Sequence, residues 1–280
     1  MKKIYFILIT LFFSINIFCV FDDYEPSTKA RALGGAFSAI GKDANTIFYN
    51  PAYISEYKAE IITGYTRLFG TDYTKLITFA LSYKLPGKWG NIGLGMQSFG
   101  VEYKNVNLMN ENFYALSHAF TLMKDIHSSL NVGYVLNMFH LEFDEMGSQN
   151  TFGINLGVKA SLHERTNIGF YVKNINNPTI GQNNNHDLPK SLVCGISYEP
   201  YKTLTTTLDI EKKIDAPTEL HGGMELFVTD MFALRFGVRN EPVSFSGGIG
   251  INFMNFVFDY SINTHSMLGL THHISFGYFL

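Results

Sequence analysis

The stretch GGAFSAIGKD, from Gly34 to Asp43, has the residue types of a phosphate-binding loop. That loop needs Gly, four residues, then Gly-Lys-Ser/Thr, so that successive backbone N–H groups and one lysine surround the phosphates. Gly35 is one residue too far from Gly41, Asp43 replaces the hydroxyl, and no strand precedes it, so no nucleotide site is expected. Gly247, Gly248 and Gly250 in SGGIGINF read as strand glycines facing a lumen rather than as a strand-to-helix turn. Nine histidines are present, and His272 and His273 adjoin. Neighbours on a strand point to opposite faces and cannot chelate one ion together. The others, His221 included, are scattered through unrelated segments, so neither a metal site nor any other cofactor is expected. Spacing along the chain cannot show a serine–histidine pair, so no catalytic residues are assigned and the chain is expected to be a non-enzyme.

The remaining chemistry is charge. Lys159, Lys173, Asp209, Glu211, Glu225, Arg235, Arg239 and Asp259 fall on the polar side of apolar/polar alternations. With both signs present they could pair across a lumen, either bracing and hydrating it or forming a constriction that selects a solute. A net charge of −3 gives no case for nucleic acid.

The elements that position these groups are strands. From Ala59 to Leu280 a period of two runs almost unbroken. In SLNVGYVLNMF, Leu130, Val132, Tyr134, Leu136 and Met138 share one face, and Asn131, Gly133 and Asn137 the other. TFGINLGVKASL and FVFDYSIN repeat the pattern. Fourteen such segments are separated by turn signals, an even number within the range of bacterial outer-membrane barrels. A sandwich would hide the apolar faces against each other, whereas a membrane barrel turns them to lipid. Charged residues make up 16% of the chain, below the ~25% of soluble domains. Connections around Glu164, Asp230, Glu241 and Asn255 are tight; Lys173 to Lys190 and Glu142 to Asn150 are longer and polar. The Asn-rich Lys173–Lys190 stretch reads as an outer loop, an inward-folded plug or a periplasmic excursion. The last strand, HHISFGYFL, is aromatic-rich, with Phe279 penultimate.

Before the strands, Lys2 and Lys3 precede an apolar run, the form of a secretory signal peptide over residues 1–19. Lipidation at Cys19 and an uncleaved anchor helix are the other readings. Cleavage after Cys19 leaves Cys194, on an apolar face, as the single cysteine, so no intrachain disulfide forms. Residues 20–58 are small-residued and lack the period of two, with Thr28 to Ile40 a short helix or coil.

ARALGGAFSAIGKDANTIFYNPA resembles the N-terminal signature of the FadL (long-chain fatty-acid transporter) superfamily, and more closely its PorV/PorQ branch. The matching residues are Ala30, Arg31, Gly34, Gly35 and Ala36, then Asp43, Ala44, Asn50, Pro51 and Ala52, with one residue fewer around the glycines. LDIEKK near Asp209, Glu219 to Arg239 and Phe258 to Phe279 also resemble the family. The resemblance implies an all-β, 14-stranded antiparallel transmembrane β-barrel over residues 59–280, with residues 20–58 folded inward as a short N-terminal hatch. Gly34 and Gly35 would let the hatch pack closely on the wall. Asn50, Pro51 and Ala52 would lie near a lateral route to the bilayer, or simply form the turn that ends the hatch. The partners implied are outer-membrane lipid and a small hydrophobic ligand such as a fatty acid. The alternative is a PorV-like secretion accessory that binds exported proteins, and a soluble β-sandwich is a third reading.

Overall fold

The computed structural model describes residues 21, 24–53, 57–104, 106–144, 147–181, 186–265 and 268–280. The expected signal peptide lies outside the described residues. A five-residue helix, α1 (Thr28–Ala32), and a 3₁₀ turn (Ala44–Phe48) precede the strands. Ser27 and Asp43 cap them, their side chains accepting from Ala30 N and Asn45 N.

The strands are β1 (Ala59–Arg67), β2 (Thr74–Lys84), β3 (Asn91–Tyr103), β4 (Val106–Lys124), β5 (Ser128–Phe143), β6 (Gly147–Leu162) and β7 (Thr166–Lys173). A two-residue pair follows, β8 (Thr179–Ile180) with β9 (His186–Asp187). Then come β10 (Ser191–Tyr201), β11 (Leu204–Lys213), β12 (Thr218–Phe227), β13 (Phe232–Asn240), β14 (Val243–Phe253), β15 (Phe256–His265) and β16 (Gly269–Phe279). Apart from β8 and β9, each strand pairs antiparallel with the next, β7 pairs with β10, and β16 returns to β1 in the register Ile62↔Gly277. The result is a closed 14-stranded barrel without a free edge.

Which face is buried decides between barrel and sandwich. On β5, Asn137 and Phe139 are buried, while Tyr134 and Leu136 are exposed, Leu136 by 49%. Ser197, Asp209, Glu225, Ser261 and His273 are buried inside, whereas Ile196, Leu208, Phe236, Phe258 and Phe276 face out. A contiguous apolar belt of this extent is not stable in water, and lipid is the surrounding that suits it. Cys194 lies on that outer face. Tyr83, Trp89, Tyr198, Tyr201 and Phe256 are exposed at or beside strand ends, the aromatic rim expected where wall meets headgroups.

Three of the tight turns, at Glu164, Asp230 and Asn255, lie at the end that carries Ala59 and Phe279. The fourth, at Glu241, joins β13 to β14 at the opposite end, because strand parity and not turn length fixes the side. The described residues 174–181 and 186–190 of the long loop after β7 are also at that opposite end, and Ile180 and Leu188 turn inward to pack with Phe139 and Leu141. Strands β4, β5 and β6 run 19, 16 and 16 residues. A tilted strand crosses a bilayer core in about 9–11 residues, so these hairpins extend past it.

Candidate functional site: the barrel interior

The N-terminal segment, residues 24–53, lies against the inward faces of the strands, and much of it is fully buried (Ala30, Leu33, Ala36, Phe37 and Ala39 at 0%). Its seat is made of glycine. A β-carbon at Gly133 or Gly157 would collide with Pro51; at Gly169, with the Ser38 carbonyl; at Gly223, with Leu33; at Gly237, with the Gly34 amide. The glycines on the polar face of the sequence alternation therefore admit a second layer of backbone at contact distance. Gly34 and Gly35 have φ of 67° and 90°, and a β-carbon on Gly34 would lie 2.7 Å from Val238 N.

Polar groups fix the segment in register. Asp209 Oδ2 accepts from Phe37 N at 3.0 Å and Ser38 N at 2.8 Å. Asn50 Nδ2 donates to the Ser38 and Val158 carbonyls, and Asn50 Oδ1 accepts from Ala52 N at 3.1 Å. Asn50, Pro51 and Ala52 thus form an Asx turn bound to β5 and β6. Arg239 Nη1 meets Glu25 Oε1 at 2.7 Å, and Lys159 Nζ donates to the Gly41 carbonyl at 3.3 Å. Lys42 pairs with Glu199.

All eight charges assigned to the lumen face inward, but the observed pairs run along the wall rather than across the lumen. Arg235, directly opposite Glu225, donates to it from Nε at 2.8 Å and from Nη1 to Asp259 at 2.6 Å. The second bond spans β14, where a β-carbon on the inward Gly250 would lie 2.7 Å from the guanidinium and 2.8 Å from Asp259 Oδ1, so the crossing needs glycine at that position. Gly247, expected in the lumen, has the opposite parity and faces out. Lys29 of α1 adds a contact to Glu225 at 3.2 Å. Lys29, Arg235 and Asp259 border a vestibule of about 390 Å³ at the terminus-bearing end, with Asp43 and Phe279 also in its wall.

The inward face also carries an apolar region that the sequence reading misses. Phe21, Phe139, Leu141, Ile180 and Leu188 form one buried cluster, and Leu68, Leu76 and Phe99 another, with Met109 against both. Phe21 meets Phe139 edge-on at 5.1 Å, and Tyr24 stacks on Phe99 at 4.4 Å. The signal lay in parity: in NMFHLEF, apolar residues occupy the inward positions 139, 141 and 143 as well as outward ones. A cavity of about 40 Å³ among Phe21, Phe48, Phe113, Phe139 and Tyr171 is bordered by Lys173. Aromatic walls with one ammonium suit a small apolar molecule or an apolar acid.

The two adjoining histidines do diverge. His273 is buried against Thr66 and Asn263, whereas His272 contacts Tyr260 on the outside. His221 is not isolated as expected: the β11–β12 register brings it beside Glu211 and Glu219.

No protein-family model matches the sequence, and no curated protein matches it. Solved structures do. The CymD monoaromatic hydrocarbon channel aligns with a TM-score of 0.64 at 13% identity, over 90% of this chain and 97% of that one. A Pseudomonas aeruginosa FadL homologue aligns at 0.63 and 11%, over 90% and 98%. The P. putida toluene transporter TodX aligns at 0.62 and 10%, over 91% and 98%. At such identities the likeness is one of architecture, and the chain has the fold of the FadL-like outer-membrane channels.

Proposed function

We propose that this chain is an outer-membrane channel that passes small hydrophobic molecules, with residues 20–58 acting as the hatch of a barrel spanning residues 59–280. Export by the signal peptide of residues 1–19 is part of this reading. The observation that carries it is the apolar, aromatic mouth packed by Phe21 and Tyr24, both from the same segment that sits on the glycine seat. Moving this segment would open the lumen beneath it and withdraw Phe21 and Tyr24 from the mouth, which Ile180 and Leu188 of the inward loop also pack. Gly34, Gly35, Asn50, Pro51 and Ala52 are the hatch contacts. Lys159, Lys173, Asp209, Glu225, Arg235, Arg239 and Asp259 line the path it covers.

A lateral exit is compatible with an apolar depression of about 500 Å³ on the outer wall, between Leu94, Tyr114, Leu136 and Phe152. Its floor includes Gly95 and Ala115, and Gly95 touches Phe48 on the inside. Gly95 and Ala115 put no bulky side chain on the inward side of the wall at their positions. The β2–β6 ladder is paired throughout this region, so exit would require strands to part.

The test is native mass spectrometry of the detergent-purified protein from its own membrane, with uptake of a labelled apolar solute by proteoliposomes. A co-purifying hydrophobe, and faster uptake by Gly237→Val, whose side chain would expel Gly34, support the channel. A stoichiometric protein partner with no small ligand would replace it with the PorV-like secretion role.

A further inference from the structure

Three side chains with metal-binding atoms converge on the inner wall between β11 and β12. Glu211 and Glu219 are direct cross-strand partners, and His221 lies two residues along β12 on the same face. His221 Nε2 is 3.4 Å from Glu219 Oε2 and 3.8 Å from Glu211 Oε2. The three ligating atoms lie within 4.8 Å of one another, and all three residues are buried.

The histidine makes this more than an acidic cluster. His221 is 4% exposed, and its Nε2 faces both carboxylates without a well-aligned hydrogen bond. Its Nδ1 lies 2.8 Å from the Gly34 carbonyl oxygen. A carbonyl can only accept, so Nδ1 carries the hydrogen, and in the neutral ring Nε2 presents a lone pair to the two carboxylates. A backbone carbonyl holding the far nitrogen is the usual outer-shell support of a metal-binding histidine. Lys213 Nζ, 2.9 Å from Glu219 Oε1, anchors the carboxylate oxygen on the other side from the cluster.

The two distances from His221 Nε2 are close to those around a four-coordinate ion, and the Glu211 and Glu219 oxygens, within 4.8 Å of each other, draw together as it binds. Tetrahedral zinc with bonds of about 2.0–2.1 Å has neighbouring ligand atoms about 3.3 Å apart. The observed 3.4 Å fits as it stands, and the 3.8 Å needs a contraction of about half an ångström, within reach of a glutamate side-chain torsion. A cavity of about 30 Å³ bordered by Glu211, His221, Asp209 and Ser38 gives space for a water as fourth ligand.

We propose that Glu211, Glu219 and His221 form a binding site for a single zinc ion at the contact between the wall and Gly34. Imidazole with two carboxylates is a donor set that zinc accepts. Because the same ring is tied to the Gly34 carbonyl, the ion clamps the N-terminal segment to β12. This holds whatever solute the barrel passes.

The experiment uses the full chain in detergent, stripped with chelator and titrated with zinc, then with cobalt as a spectroscopic substitute. The expected result is one zinc per chain and tetrahedral cobalt absorption. Glu211→Gln and His221→Gln should each weaken binding by at least about tenfold while keeping the wild-type circular dichroism. The control is the exposed His127–His163 pair, whose rings stack at 5.9 Å and could collect zinc adventitiously. Binding that survives His163→Ala supports the site. Absent stoichiometric zinc, binding lost in His163→Ala, or binding indifferent to both Glu211→Gln and His221→Gln would overturn it. Should His221→Gln not fold, Glu211→Gln decides alone.

Discussion

Asp209→Ala tests how the N-terminal segment is held. One carboxylate oxygen accepts both the Phe37 and Ser38 amides, at 3.0 and 2.8 Å, in a buried setting. Hydrogen bonds to a charged acceptor contribute about 1.5–3 kcal/mol each, and their loss here leaves two buried N–H groups without a partner. Relief of the buried charge offsets part of this, so a net loss of about 2–3 kcal/mol of docking free energy is expected. At 1.36 kcal/mol per decade, the docked-to-undocked ratio falls about 30- to 150-fold. Hydrogen exchange at the amides of residues 37 and 38 reads that ratio directly, because both become exchangeable only when the segment lifts. Planar-bilayer conductance would rise in parallel if the segment closes the lumen. Asp209→Asn retains an acceptor oxygen and should change exchange far less. Unchanged protection in Asp209→Ala, with the barrel intact by circular dichroism, would refute the reasoning: the glycine seat alone would then hold the segment.

Two further outcomes follow from buried charge. Arg235→Met leaves Asp259 without its guanidinium partner and Glu225 with only Lys29 of the pairs seen here; the expected loss is about 3–5 kcal/mol, measured as a lower unfolding midpoint in urea. Asp43, in the N-terminal segment outside the strands, has its carboxyl pKa raised by burial, with Lys29 and the Asn45 amide opposing. Its contribution to stability is complete below the ordinary carboxylate value and is lost as pH rises through the raised folded value. Asp43→Asn keeps an oxygen for the Asn45 amide, so it should stabilise the segment at neutral pH and flatten this pH dependence, as read by exchange at residues 44–48.

The alternation itself was legible in the sequence, because side-chain direction along a strand is a local consequence of backbone geometry. It located all fourteen barrel strands and put Lys159, Asp209, Arg235 and Asp259 on one common face. It also showed the inward glycines, without showing what they were for. Alternation alone is satisfied equally by two packed sheets and by one closed sheet; closure depends on β16 finding β1 across the whole length of the chain. Register decided the rest. Glu211 meets Glu219 and His221, and Arg235 reaches Asp259 across Gly250 of the strand between, only because particular residues of separate strands fall opposite one another. The apolar mouth was half visible, as a break in alternation after Phe139, but its partners Phe21, Ile180 and Leu188 come from segments far apart in the chain. A period of two tells each residue which way to face, and the pairing of strands, a long-range property, determines what it meets there.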